Sequence, residues 1–152
     1  MSYVGLACPA ESIGNVLARA LQPRRPMSVS QWCDEHMRLS SKGSSKAGKW
    51  HTANNPPLRE PMDCMSARSP VKSMVCQFPI QFGKSQLATN ALAYWMDYVP
   101  APIMYALPGE VSQNKWIAQK LNPMIEVVPA VRKVLSSTAS RDSANQRTFK
   151  DF

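Results

Sequence analysis

The 152-residue sequence has no C-x-x-C pair. Its four cysteines, Cys8, Cys33, Cys64 and Cys76, stand 25, 31 and 12 residues apart, which argues against a zinc ribbon. Cys33 and His36 can supply half a metal site, but no second pair stands near them; reduced thiols and a half-buried packing histidine are expected. No apolar run reaches the length of a membrane-spanning helix, and no charged-apolar-small leader opens the chain. The expectation is a soluble intracellular protein without membrane partners. Glycine is scarce, six residues against thirteen prolines, which predicts short elements joined by stiff connectors. Acidic residues are also few: ten Asp and Glu against eighteen Lys and Arg leave a net charge of +8. That surplus favours an anionic partner, nucleic acid first. An apolar content of 44% in a chain of one-domain length excludes a disordered composition and suffices for a core.

What is present divides the chain into three parts. Residues 1–27 hold a short amphipathic helix, Glu11 to Leu21, with Ile13, Val16, Leu17, Ala20 and Leu21 on one face. The stiff basic linker Gln22-Pro23-Arg24-Arg25-Pro26 follows. Packing on the main domain and docking to a partner protein both suit that helix. Residues 28–135 form the main domain. Ser28-x-x-Gln31 is a capping box that opens a helix carrying Val29, Trp32, His36 and Met37. Ser40 to Lys49 reads as a mobile loop whose Lys42, Lys46 and Lys49 are candidate DNA contacts. Arg59–Ser69 reads as a helix with Pro61 in its first turn and Met62 and Met65 inward. Pro123 and Pro129 are expected to break the chain into short turns that end near Leu135. Residues 136–152 read as a polar tail or loop.

The centre of the main domain is Gln81-Phe82-Gly83-Lys84-Ser85. An apolar run from Val71 to Phe78, read as a buried strand, leads in. A helical pattern from Lys84 to Tyr98 leads out, burying Leu87, Ala91, Leu92 and Trp95. Strand, turn, Gly-Lys-Ser, helix is the order of a phosphate-binding loop. Backbone N–H groups surround the phosphates, the lysine reaches the outer ones, and the serine hydroxyl takes a magnesium position. The full pattern wants a glycine where Phe78 stands. Ile103–Leu107 reads as a second strand, and a third long helix runs from Glu110 to Leu121. Two strands joined by a helix predict a right-handed βαβ unit and a parallel sheet. The fold class read here is therefore α/β, a partial P-loop NTPase with an N-terminal helical segment.

Five blocks in order resemble the N-terminal part of the lambda-type phage terminase large subunit, the GpA family. They are Met27 through Glu35; Gly48-Lys49-Trp50-His51-Thr52; Pro56 through Asp63; Gln81 through Ser85; and Pro100 through Pro108 with Lys120 through Ile125. The resemblance covers about residues 27–131. It implies the ATPase domain of a motor that uses ATP and Mg2+ to drive double-stranded viral DNA into a procapsid through its portal, in the cytoplasm of the bacterial host. The implied partners include the small terminase subunit, which would engage the amino-terminal helix. Members of the family also cut DNA with a C-terminal endonuclease domain. Carried over to this chain, Gln81, Phe82, Gly83, Lys84 and Ser85 would bind nucleotide, Ser85 through magnesium, with Trp50 and Arg59 on the base side.

The departures from the family pattern are specific. Pro57 stands for a tyrosine, Phe78 for a lysine, and Gly109 for a threonine. Such a motor also needs a second strand tipped by Asp then Glu, to hold magnesium and to orient the attacking water. Downstream of Lys84 the acids are Asp97, Glu110, Glu126, Asp142 and Asp151, none adjacent to another and none after four apolar residues. The expectation is a domain truncated before the Walker B strand, with no catalytic residue within this chain and no activity in isolation. The alternative is a basic DNA- or partner-binding module that uses no nucleotide.

Overall fold

The computed structural model describes residues 14–15, 17–18, 24–42 and 47–134. Of the amino-terminal helix expected over Glu11 to Leu21, residues 14, 15, 17 and 18 are helical, and the others lie outside the described residues. So do Lys46 and the expected tail at 136–152.

Helix α1, Val29–His36, begins as its capping box requires. Ser28 Oγ accepts from the Gln31 amide, and the Gln31 side chain accepts from the Ser28 amide. Two further N–H groups at this end are taken by more distant residues: Val29 donates to Ser66 Oγ and Ser30 to Asp63 Oδ1. Val29, Trp32 and Cys33 are fully buried, and the His36 ring stays partly exposed against Trp32. Strands β1, Arg38–Leu39, and β2, Gly48–Lys49, pair antiparallel, with Arg38 opposite Lys49. Single-turn 3-10 helices at Thr52–Asn54 and Pro56–Leu58 lead into α2, Arg59–Cys64.

Helix α3, Lys84–Asp97, is the axis of the fold. Every residue from Thr89 to Tyr94 is buried, so this helix is enclosed on all sides rather than along one stripe. It packs against α1, α2 and α6, Pro129–Val134. Its carboxyl end is strapped by residues 24–28. Arg24 donates to the Asp97 carbonyl (2.6 Å), Tyr98 Oη to the Arg25 carbonyl, and Tyr94 Oη to the Met27 carbonyl. Trp32, itself fully buried, donates its indole N–H to Asp97 Oδ2 (2.9 Å). Helix α4, Glu110–Trp116, continues through a π-helical stretch, Ile117–Leu121, into α5, Asn122–Val127.

The α/β reading does not hold. The described residues are mostly helical, and their β-structure is one two-stranded antiparallel pair rather than a parallel P-loop sheet. Val71 to Phe78 and Ile103–Leu107 form no strand. Val75 is 94% exposed and Met104 92%, so neither run is buried. A β-type apolar run becomes a strand only when a neighbour takes its N–H and C=O groups and a layer covers its outer face. No described residue pairs with either run. The expected turns after Leu121 are helices instead. Pro129 opens α6, where a missing N–H costs nothing, whereas Pro123 lies inside a continuous helical run, directly after the π-helical stretch that departs from α-type bonding. The expected helix over Arg59–Ser69 stops at Cys64.

Among the described residues no helix is long and apolar enough to cross a membrane.

Candidate functional site

Two left-handed residues shape the loop before α3. Gln81 has φ 62° and Gly83, the residue before the first helical turn, φ 99°. The left-handed region suits glycine and is strained for glutamine. No side chain caps the helix, and its first turn contains no acid. The first N–H groups of this 14-residue helix are thus left without a side-chain acceptor, at the positive end of its dipole. Lys84 and Ser85 are both exposed there. The lysine folds back so that Nζ donates to the Phe78 carbonyl at 3.3 Å, which draws the loop from 78 to 84 into a ring. Phe78 and Phe82 stack across that ring, centroids 5.2 Å apart.

The loop is seated on the turn before α2. Asn55 Nδ2 donates to the Phe82 carbonyl at 3.2 Å. A Cβ on Gly83 would stand 3.1 Å from Leu58 Cδ1 and 3.3 Å from Asn55 Nδ2. A methyl there would force Leu58 or Asn55 to give by a few tenths of an ångström, so both the φ of Gly83 and its contact favour glycine. At the start of α3 the Leu87 amide bonds the Gly83 carbonyl and the Thr89 hydroxyl bonds the Ser85 carbonyl. Neither bond occupies the Ser85 hydroxyl. Asn55 and Leu58 were not among the candidate residues. Leu58 belongs to the Pro56–Asp63 block, and Asn55 stands just before it.

The other candidates scatter. Trp50 is buried, and its indole N–H donates to Thr52 Oγ1 at 3.1 Å. Arg59 is exposed and lines an open cavity of about 780 Å³ with Pro56, Glu60, Asp63 and Arg68. Lys42 pairs with Glu126 at 3.3 Å. Lys49 is exposed beside Arg38 on the neighbouring strand. Among the described residues no three His, Cys, Asp or Glu side chains converge on a metal position. A magnesium held by one serine hydroxyl and by phosphate oxygens needs no such cluster. The exposed Ser85 hydroxyl beside uncapped amides has the chemistry for that arrangement.

Two acids downstream of Lys84 are accounted for away from the loop. Asp97 is held by Trp32 at the far end of α3, roughly 20 Å along a 14-residue helix. Glu126 is paired with Lys42.

No curated protein and no solved structure matches the chain significantly. Residues 44–152, most of the chain and including the whole loop and α3, match the family model described as phage terminase large subunit gpA, ATPase domain. The chain belongs to the family of phage terminase large subunit gpA ATPase domains.

Proposed function

We propose that this chain supplies the nucleotide-binding part of a lambda-type DNA-packaging motor. The loop Gln81–Ser85 takes the phosphates of ATP on the backbone amides at the start of α3. Lys84 exchanges its bond to the Phe78 carbonyl for the outer phosphates, and Ser85 presents its hydroxyl to Mg2+. The observation that carries this reading is the uncapped helix start behind a left-handed Gly83, with the lysine already turned back over the loop. In this reading residues 28–135 are the motor portion. Residues 1–27 dock the small terminase subunit, and residues 136–152 lead on to the parts that hydrolyse ATP and cut DNA. Double-stranded viral DNA and the portal are the remaining partners, in the bacterial cytoplasm. Since no two acids downstream of Lys84 are adjacent, the chain in this reading binds nucleotide without appreciable turnover.

The test is titration of the chain with Mg·ATP against a Lys84→Ala variant. A charge-assisted phosphate contact contributes about 1.5–3 kcal/mol. The variant should therefore bind at least about tenfold more weakly. Equal affinity of the two proteins would refute the assignment.

A second reading, a basic binding module that uses no nucleotide, has its own observation. Arg38 and Lys49 stand directly opposite each other on β1 and β2. Like charges so placed repel unless an anion lies between them. Duplex affinity that falls steeply with salt in the absence of ATP would favour this reading, and affinity indifferent to salt would exclude it.

A further inference from the structure

The peptide that joins Phe82 to Gly83 stands directly before α3, and only one of its two polar groups is engaged. Its carbonyl accepts from Asn55 Nδ2 at 3.2 Å, while no described residue accepts from the Gly83 N–H. The bond is trans, and a planar trans peptide carries its C=O and N–H on opposite sides. A carbonyl drawn toward Asn55 therefore sends the Gly83 N–H away from the turn that supports the loop. Such a plane turns over by changing ψ of the residue before it and φ of the residue after it. Gly83 has no Cβ to resist that change, so an outside tether decides which way the plane faces.

Asn55 is itself fixed. It lies between the 3-10 turns Thr52–Asn54 and Pro56–Leu58. Its N–H donates to the Thr52 carbonyl at 3.0 Å, and its carbonyl accepts from the Leu58 N–H at 3.1 Å. Facing a carbonyl, its side-chain amide must present the NH2 group, a donor that an ionised aspartate lacks. We propose that Asn55 is a positioning residue for phosphate: by holding the Phe82 carbonyl it points the Gly83 N–H at the bound anion. This role rests on the nucleotide-binding reading of the loop. Asn55 does not contact the phosphate; it sets the direction of one donor in advance, so that binding requires no turn of the peptide.

Asn55→Leu keeps the branched shape of the side chain and removes the donor, and Asn55→Ala removes the side chain beyond Cβ. Each full-length variant is titrated with Mg·ATP and, separately, with magnesium pyrophosphate, while the Gly83 amide is followed in 15N-labelled protein. In the parent both ligands should move the Gly83 amide downfield, as a new bond to phosphate does. The tether is a neutral hydrogen bond, whose net worth corresponds to about two- to tenfold in affinity. Both variants should bind both ligands more weakly by that factor, with a smaller Gly83 shift at saturation. A merely structural role would lower stability in urea unfolding and leave affinity and the Gly83 shift as in the parent, and that result overturns the proposal. So does a loss confined to Mg·ATP, which would set Asn55 against the base or ribose, and so does a Gly83 amide that responds to neither ligand. If Lys84→Ala weakens binding and Asn55→Leu does not, the positioning role alone fails. If Lys84→Ala binds as the parent does, the nucleotide-binding reading has failed first.

Discussion

Gly83→Ala is the sharpest perturbation of the loop. Two costs arise at this position, and other glycines separate them. The first is conformational: φ 99° lies in the left-handed region, which an L side chain enters at about 1–2 kcal/mol. The second is steric. The added methyl would stand 3.1 Å from Leu58 Cδ1 and 3.3 Å from Asn55 Nδ2. Leu58 is fully buried and cannot swing into water, and Asn55 is tethered to the Phe82 carbonyl. Overpacking of this kind costs about 1–3 kcal/mol, for a combined loss of about 2–5 kcal/mol. At about 2–4 °C per kcal/mol for a chain of this size, thermal melting should fall by roughly 4–20 °C. Gly109, at φ 81° and ψ 152° with nothing within 4 Å of its added Cβ, carries a conformational cost alone, in a region that is essentially reserved for glycine. Gly109→Ala should therefore lose about 1–3 kcal/mol. The assay is urea unfolding of both variants, followed by tryptophan fluorescence. If Gly83→Ala loses less than about 2 kcal/mol, the Leu58–Asn55 support is not a rigid seat.

Three further outcomes follow from the core. Asp97→Ala leaves the Trp32 indole N–H buried without its 2.9 Å acceptor, and should cost about 1–3 kcal/mol in denaturant unfolding; a change below about 0.5 kcal/mol would show that another group takes its place. Cys33 is buried and its thiol is pushed well above the ordinary range, first by desolvation and then by Asp34 and Asp63. A thiol reagent should therefore label exposed Cys76 readily and Cys33 only on unfolding, and native-state labelling of Cys33 read by mass spectrometry would contradict this. Burial likewise raises the Tyr94 phenol above 10.0. Its contribution is fully present below pH 10 and is lost as pH rises through the raised folded value. The alkaline limb of a stability profile should thus be steeper in the parent than in Tyr94→Phe, and parallel limbs would refute it.

How much of this was legible depended on how local each signal is. The start of α1 was readable because Ser28 and Gln31 satisfy each other within four residues. The start of α3 was readable because Gly83 precedes an unbroken helical pattern. The strand readings failed at Val71 to Phe78 because β-propensity describes a residue's fit to a sheet and not whether a neighbouring strand is present. Pro123 and Pro129 misled for a related reason. Pro129 stands in a first turn, where no N–H is needed, and Pro123 follows a π-helical stretch within a helix that continues past it; neither placement is marked in the local sequence. The loop itself was found by its Gly-Lys-Ser, while Asn55 and Leu58, which seat it from 25 or more residues away, carry no local mark. Trp50 was placed with the base-side residues, yet its indole N–H is turned inward to Thr52.

Helix α3 joins the stability of the fold to the candidate site, and it does so unequally along its length. From Thr89 to Tyr94 it is enclosed, and at Asp97 and Tyr98 it is tied to Trp32 and the 24–28 strap. Its first turn alone reaches the surface with uncapped amides. A rigid helix whose only unsatisfied end is exposed holds its N–H groups in place before any anion arrives, so binding there needs little reordering of backbone. Lys84 and Ser85 sit on that exposed end and contribute almost nothing to packing, whereas Gly83, Leu58 and Asn55 belong to both the loop and the core. Phosphate affinity should therefore separate cleanly from stability at Lys84 and not at Gly83. That division distinguishes a ligand-binding loop from an ordinary helix start, where lysine and glycine would be equally expendable.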